Sequence, residues 1–470
     1  MELPNYLKSG DVARLFPVIA ETGKEQRAAS ILLSVLSAVP PFSNSLLSPI
    51  GQKIGSRTTV NTFTEIVFQN EDPSIKKNRP DGLIEVSVGR RRWAALLEAK
   101  IGNSVLNRDQ IERYLRLAKD NSIDAVITVS NEFAALPTHH PISVQKSLTR
   151  RVTLYHFSWM SILTSAVLLQ ERSSVSDPEQ AFLLREFIRF FSHSSAGISS
   201  FVTMPQEWTA AVQKIQAGGT IPKSSFGREI VKSWHQEVRD LSLRMSRIVG
   251  CEITAKLSRA HEKSLDARIS DELEKLCSEG SLEALLEVPD AASDIRLVAD
   301  LRNRTIRVSM TLNAPREKKT NKARLNWLLR QLKGVSADNI SVAIIRASRA
   351  PDTHFTLNDL RQRPEHVDEA PHKSEVRAFE VILTSASARR FVGRRTFIDE
   401  LEDLAPRFYE VIGQHLRAWK PTPPKPKHSV TTEPKADVPP EKPNERTSAG
   451  NAHSEILEIP DFLKRISDIA

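Results

Sequence analysis

Only two cysteines, Cys251 and Cys277, occur in 470 residues. They cannot supply a disulfide framework or a Cys/His metal cluster, and they fit a reducing compartment, the cytoplasm. Long apolar runs are missing as well. The most apolar stretch, Leu154 to Gln170, carries His156, three serines and Thr164. It is too short and too polar to cross a bilayer, so a soluble protein with no membrane role is expected. Met1-Glu2-Leu3-Pro4-Asn5-Tyr6-Leu7-Lys8 lacks the apolar core of a signal peptide. A large charge of one sign is absent too. The formal net charge of +9 is small for this length; it favours an anionic partner, of which nucleic acid is the obvious one. Apolar content of 40% suffices for globular cores, and the length suits two or three domains.

What is present is a local pattern. Arg79-Pro80-Asp81 is followed, seventeen residues after the aspartate, by Glu98-Ala99-Lys100. Asp81 to Val88 alternates loosely and is rich in β-formers, Gly89-Arg90-Arg91 is a polar turn, and Trp93 to Ala99 is short and mostly apolar. The three segments predict a β-hairpin whose second strand is central and buried. Period-two alternation puts Glu98 and Lys100 on one face. Charges at the end of a Leu-rich strand are costly to bury without a partner, and a bound cation resolves that cost. Mg²⁺ takes oxygen ligands and keeps several waters, so Asp81 and Glu98, with the Ala99 carbonyl as a third ligand, are enough to hold it; Mn²⁺ would serve equally. Such an ion acidifies water and neutralises phosphate charge, and Lys100 beside it would orient the nucleophile and stabilise developing negative charge. Glu65, on an upstream element, is the candidate for a second metal or for the water shell. Glu85 is expected to be a solvated or hydrogen-bonded strand residue. His139 and His140, in a Pro-flanked loop, are expected at the surface, and His156 is expected to be structural.

These residues resemble the PD-(D/E)XK nuclease superfamily, over roughly residues 10 to 200. The resemblance implies an α-β-β-β-α-β core and metal-dependent phosphodiester hydrolysis. Asn107-Arg108-Asp109-Gln110-Ile111-Glu112-Arg113-Tyr114 looks like the Q-x-x-x-Y element of several branches. Gln110 and Tyr114 share one helix face, and the resemblance gives them a part in holding the site or the nucleic acid. Strands near Ile123–Ser130 and Arg151–Phe157, and a helix opened by Ser158-Trp159, follow in an order that agrees with that core. The superfamily includes restriction, repair, recombination and defence enzymes, so a bacterial role in defence or stress-linked DNA processing is an analogy from fold.

The expected fold class is α/β: a restriction-endonuclease-like mixed sheet flanked by helices, then a separate α+β domain and a disordered tail. Residues 1–217 form the nuclease-like domain, with an amphipathic helix at 24–38. Asp177 caps a helix with Pro178 at its first position, and Phe182, Leu183, Phe187 and Phe190 are its expected core face. Gly218-Gly219 and Pro222 mark a boundary. Residues 226–419 form the second domain: a helix from Phe226 to Ile248, a hairpin around Arg302-Asn303-Arg304, strands near Ile340–Ile345 and Ala378–Leu383, and a helix from Thr396 to Arg417. Within it, residues 315–334 hold Arg316, Lys318, Lys319, Lys322, Arg324, Arg330 and Lys333 against one acid, Glu317. This cluster is either a phosphate-contacting surface, led by Lys318, Lys319, Lys322 and Arg324, or a solvated helix face.

Residues 420–454 are Pro- and Lys-rich, with no aromatic residue from Lys420 to Gly450. They are expected to be a disordered linker that tethers a short docking peptide at 455–470, with Ile459, Pro460, Phe462 and Leu463 as its apolar contacts. Ile459 to Arg465 resembles the C-terminal recruiting peptide of the bacterial division tubulin, I-P-x-F-L-(R/K)-(R/K). A tail that folds back on its own domain is the alternative to a protein partner. For the whole chain, a DNA-cutting enzyme, with a homodimer as one possible assembly, stands against a catalytically inert nucleic-acid-binding or adaptor protein. The residues do not separate DNA from RNA.

Overall fold

The computed structural model describes residues 4–15, 23–69, 79–347, 352–368, 374–385 and 388–420. The linker and the docking peptide expected after residue 420 lie outside the described residues. Residues Met1–Pro421 are one compact unit that holds two sheets. Six strands form the first: β1 (Leu7–Val12), β2 (Thr58–Phe68), β3 (Gly82–Val88), β4 (Arg91–Ala99), β5 (Ala125–Ser130) and β6 (Thr153–Ser158). They lie in sequence order. β1 to β4 pair antiparallel, and β4, β5 and β6 pair parallel. Helices α1 (Lys24–Ala38), α2 (Pro40–Leu47), α3 (Arg108–Asp120), α4 (Trp159–Glu171) and α5 (Pro178–Ser192) accompany this sheet.

Alternation along the strands divides the first core in two. Ile84, Val86, Ala95, Leu97, Ala99 and Ile127 pack with α1, α2, α4 and α5. Leu83, Ala94, Leu96 and Val126 pack with Ile111, Tyr114, Leu115 and Ala118 of α3. The sheet is thus covered on both faces, which is why β4 is a near-continuous apolar run. Asp177 caps α5 by accepting from the Gln180 amide at 2.9 Å. The helix is turned from its expected face. Leu184, Phe187 and Phe191 are buried, whereas Phe182 and Phe190 are 54% and 38% exposed. The 184-187-191 stripe, spaced by three and four, wins because it stacks Phe191 on Trp159 and packs Phe187 at a tilt against Phe42.

The second sheet comprises β7 (Thr254–Ala255), β8 (Ser281–Glu287), β9 (Ile295–Asp300), β10 (Thr305–Asn313), β11 (Ile340–Arg346), β12 (Thr353–Thr356) and β13 (Val376–Thr384). Its order is β12-β11-β13-β10-β9-β8-β7, antiparallel throughout. The remaining helices are α6 (Glu207–Gln216), α7 (Ser225–Val249), α8 (Arg259–Lys263), α9 (Leu265–Glu279), α10 (Asn321–Gln331), α11 (Leu357–Gln362), α12 (Ala388–Val392) and α13 (Arg394–Val411). One apolar cluster runs from Met204 to Leu416. It includes Trp208 and Val212 of α6, so this helix packs with the second sheet although it precedes Gly218-Gly219. α13 stops at Val411, short of Arg417, and a single tight turn, Gly413–His415, follows.

Gly82 sets how closely α1 approaches the sheet. A Cβ there would stand 2.9 Å from the Phe63 carbonyl oxygen and collide with the Leu33 side chain of α1. Gly82→Ala is expected to destabilise the protein by about 1–3 kcal/mol through overpacking. Urea unfolding checks this, and an unchanged midpoint would mean that α1 is not held at this distance.

Candidate active site

β4 carries Glu98 on the face that α3 covers, two residues beyond Leu96, and its side chain is 3% exposed. The first turn of α3 is held by Asn107, whose side chain accepts from the Gln110 amide at 3.1 Å. Gln110 Nε2 then donates to Glu98 Oε1 at 2.7 Å and to the Tyr114 hydroxyl oxygen at 3.0 Å. The Tyr114 hydroxyl donates in turn to the Arg79 carbonyl at 2.9 Å. The spacing of four in Gln110 and Tyr114 therefore ties the end of β4 to the Arg79-Pro80-Asp81 segment. The Ala99 amide completes the link by donating to Asp81 Oδ2 at 2.8 Å.

Lys100 leaves the strand and stays anchored. Its amide donates to the Val129 carbonyl at 2.7 Å, and its carbonyl accepts from Trp159 Nε1 at 2.8 Å. Its Nζ lies 2.6 Å from Glu98 Oε1 and 3.2 Å from Glu25 Oε2. Glu25 sits in the first turn of α1. The amphipathic pattern at 24–38 marks that helix but not the role of its acid; an acid at a helix start is common, and only the packing of α1 against the β3–β4 hairpin reveals its target.

Glu65 is brought to no such partner. It is exposed, has φ of +51°, and falls at an irregularity where the β1–β2 register shifts. This is a bulge that turns the side chain out of the alternation. Among the described residues it makes no hydrogen bond or ion pair, so Glu25 and not Glu65 is the third acid at Lys100. Glu85 accepts from the Tyr6 hydroxyl at 3.2 Å and lies 3.5 Å from Arg92, as expected of a hydrogen-bonded strand residue.

Two carboxylates thus pair with one ammonium, and Asp81 acts on it from farther away. Burial and the Glu98 charge push the Asp81 carboxyl up to about 8. Burial also raises Glu98, against the pull of Lys100. For Lys100, burial acts downward, but Glu98, Glu25 and Asp81 outweigh it and raise the ammonium above its ordinary value. The surplus of buried negative charge and oxygen donors suits a hard cation. Among the described residues no three His, Cys, Asp or Glu side chains form a ready metal cage; a magnesium-type ion does not require one, because it retains much of its water.

His139 and His140 depart from expectation. His139 is 4% exposed, and His140 is half-buried with Nε2 2.9 Å from Thr128 Oγ1. The 131–142 loop turns these two imidazoles inward, while Thr138, just before them, stays exposed. His156 is structural, bonded to Thr128 and to the Glu132 carbonyl. In the basic cluster, Arg324 is 4% exposed and donates to the Lys318 and Val376 carbonyls and to Glu375, so it joins α10 to β13 and is not free for phosphate. Lys318 is half-buried, and Lys319 and Lys322 are exposed. No protein-family model, curated protein or solved structure matches the chain.

The raised Asp81 carboxyl has a signed consequence. Its folded value exceeds its ordinary value of 3.8, so the native state binds more protons than the unfolded chain in between, and stability falls as pH rises from about 4 to about 8. In EDTA, Asp81→Asn is expected to raise the melting temperature more at pH 9 than at pH 5. Thermal melts at both pH values decide; an equal change at each would contradict the assignment.

Proposed function

We propose that this protein is a metal-dependent nuclease of the PD-(D/E)XK type that hydrolyses phosphodiester bonds in DNA. The observation that carries the proposal is the convergence of Asp81, Glu98 and Lys100 at one end of the β3–β4 hairpin, braced by Gln110 and Tyr114. The order α1/α2-β2-β3-β4-α3-β5 supports the same reading. Asp81 and Glu98, with the Ala99 carbonyl, would hold Mg²⁺ or Mn²⁺. When bound, the ion supplies phosphate charge neutralisation and acidification of a water.

The chain's own residues do the rest. Lys100 stays protonated, so it serves as a fixed positive charge for the phosphate and its developing anion, and not as a general base. Gln110 orients Glu98, and Tyr114 holds Gln110 in turn. Glu25 restrains the far side of the Lys100 ammonium. Exposed Arg316, Lys319, Lys322, Arg330 and Lys333 are available for sequence-independent phosphate contacts.

The test incubates the full chain with supercoiled plasmid, linear duplex, single-stranded DNA and RNA, each in Mg²⁺, Mn²⁺ or EDTA. Cleavage of DNA that stops in EDTA and falls by at least about 10²-fold in Lys100→Ala is expected. Glu98→Ala should fall as far. Cleavage that survives in both variants would contradict the assignment, and absent cleavage with retained salt-sensitive DNA binding would favour an inert binding protein.

A further inference from the structure

A second group of polar side chains lies where α4, beside the first sheet, packs against α7, beside the second. Two adjoining cavities open there, of about 250 Å³ and about 420 Å³. The smaller is walled by Ser161, Thr164 and Ser165 of α4 and by Arg239, Leu243 and Ser246 of α7. These positions recur at three- and four-residue intervals, so each helix turns one stripe toward the space. The 131–142 loop lines the larger cavity with Leu136 and Pro137. That loop is held in place by the Phe133 amide, which donates to Gln236 Oε1 of α7 at 3.3 Å, and by His139 Nε2, 3.0 Å from the Glu262 carbonyl of α8. Ser45, Ser161, Ser165, Arg239 and Glu252 line both cavities.

Arg239 is the charge left without a counter-charge. Its guanidinium carries five N–H groups and does not shed its proton. Among the described residues it makes one hydrogen bond, from Nη1 to Ser242 Oγ on its own helix at 3.5 Å, and no ion pair. Burial disfavours its charge, and Glu252 and Asp240 favour it only from beyond ion-pair distance. Glu252 exerts the larger of these two pulls and lines the same two cavities, so the guanidinium stands on the cavity side of α7. The serines differ in what they can offer. Ser45 and Ser161 spend their protons on the Phe42 and Ser158 carbonyls, at 2.9 Å and 2.7 Å. Ser165 is half-buried, and its hydroxyl makes no hydrogen bond among the described residues. The uncommitted donors of the shared wall are therefore Arg239 on α7 and Ser165 on α4. The charged residues that line the smaller cavity are Arg172, Arg239 and Glu252, a net positive set in which Glu252 is exposed. An unpaired guanidinium is costly to bury, and a bound anion offsets that cost.

We propose that this junction binds a small phosphate monoester of about the size of a nucleoside monophosphate. Its phosphate sits in the smaller cavity and accepts from the Arg239 guanidinium and the Ser165 hydroxyl. The two donors stand on facing helices, and a tetrahedral phosphate presents oxygens to both walls, which a planar carboxylate does less well. The body of the ligand lies in the larger cavity against Leu136, Phe157 and Leu257. That volume is within the range of roughly 300–1,000 Å³ usual for small-molecule sites. The acids Glu262 and Glu287, which also line it, are exposed and keep their own hydration. α4 begins at Trp159, whose indole holds the Lys100 carbonyl, so an occupant ties that helix to α7 of the second sheet. The site does not depend on the nuclease reading.

Calorimetric titration of the full chain in EDTA with adenosine monophosphate, inorganic phosphate and adenosine tests this, beside Arg239→Met, Ser165→Ala and Lys100→Ala. Saturable binding of the monophosphate is expected, weaker for inorganic phosphate and absent for adenosine. Arg239→Met should weaken it by at least about tenfold and Ser165→Ala by about fivefold, and Lys100→Ala should leave it unchanged. Arg239→Met removes an unpaired charge, so it is expected to melt no lower than the unaltered chain in phosphate-free buffer; the melting curve separates lost binding from lost folding. Binding of neither phosphate compound, adenosine bound as tightly as its monophosphate, undiminished binding in Arg239→Met, or a loss confined to Lys100→Ala would overturn the proposal.

Discussion

The contact between the Lys100 ammonium and the Glu98 carboxylate, 2.6 Å apart at the end of a buried strand, is the constraint on which the first half of the molecule turns. A carboxylate on a central strand is costly to bury, and the cost is met here by a positive charge, an amide and a tyrosine network. One ammonium is shared among Glu98, Glu25 and the nearby Asp81. The cluster is therefore under-neutralised, and Asp81 and Glu98 titrate above their ordinary range. That imbalance is the physical basis for the proposal that the site takes a cation and a phosphate.

The fold keeps this arrangement rigid. β4 is central, with an antiparallel neighbour on one side and a parallel one on the other, and both faces are covered by helices. Its last residues are tied to three other elements: Ala99 to the Asp81 side chain, the Lys100 amide to β5, and the Lys100 carbonyl to Trp159 of α4. α1 approaches closely because Gly82 has no side chain, and this approach delivers Glu25. Local chain direction and side-chain contacts thus specify the same geometry, as in a minimally frustrated site.

Much of this was legible in the sequence. The hairpin, the central β4, the Gln110–Tyr114 helix face and the Asp177-Pro178 helix start all follow from period, caps and turn residues. What was not legible depends on tertiary packing. Glu65 and Glu25 are both acids upstream of the hairpin, and only the bulge in β2 and the docking of α1 tell them apart. Phe182 and Phe190 are as apolar as Phe187 and Phe191, and the partner rings on Trp159 and Phe42 decide which pair turns inward. Arg324 reads as one of seven basic residues until β13 is seen beside it. His139 and His140 sit among prolines, which suggested a surface loop, yet the loop is clamped against α7 and α8.

The most direct measurement is calorimetric titration of Mn²⁺ into the metal-free chain and into Glu98→Gln, in two buffers of different ionisation enthalpy. The account predicts saturable binding with proton release at neutral pH, because the Asp81 carboxyl must give up its proton, and loss of that binding in Glu98→Gln. Mn²⁺ binding of equal strength in Glu98→Gln, or none in the unaltered chain, would contradict it.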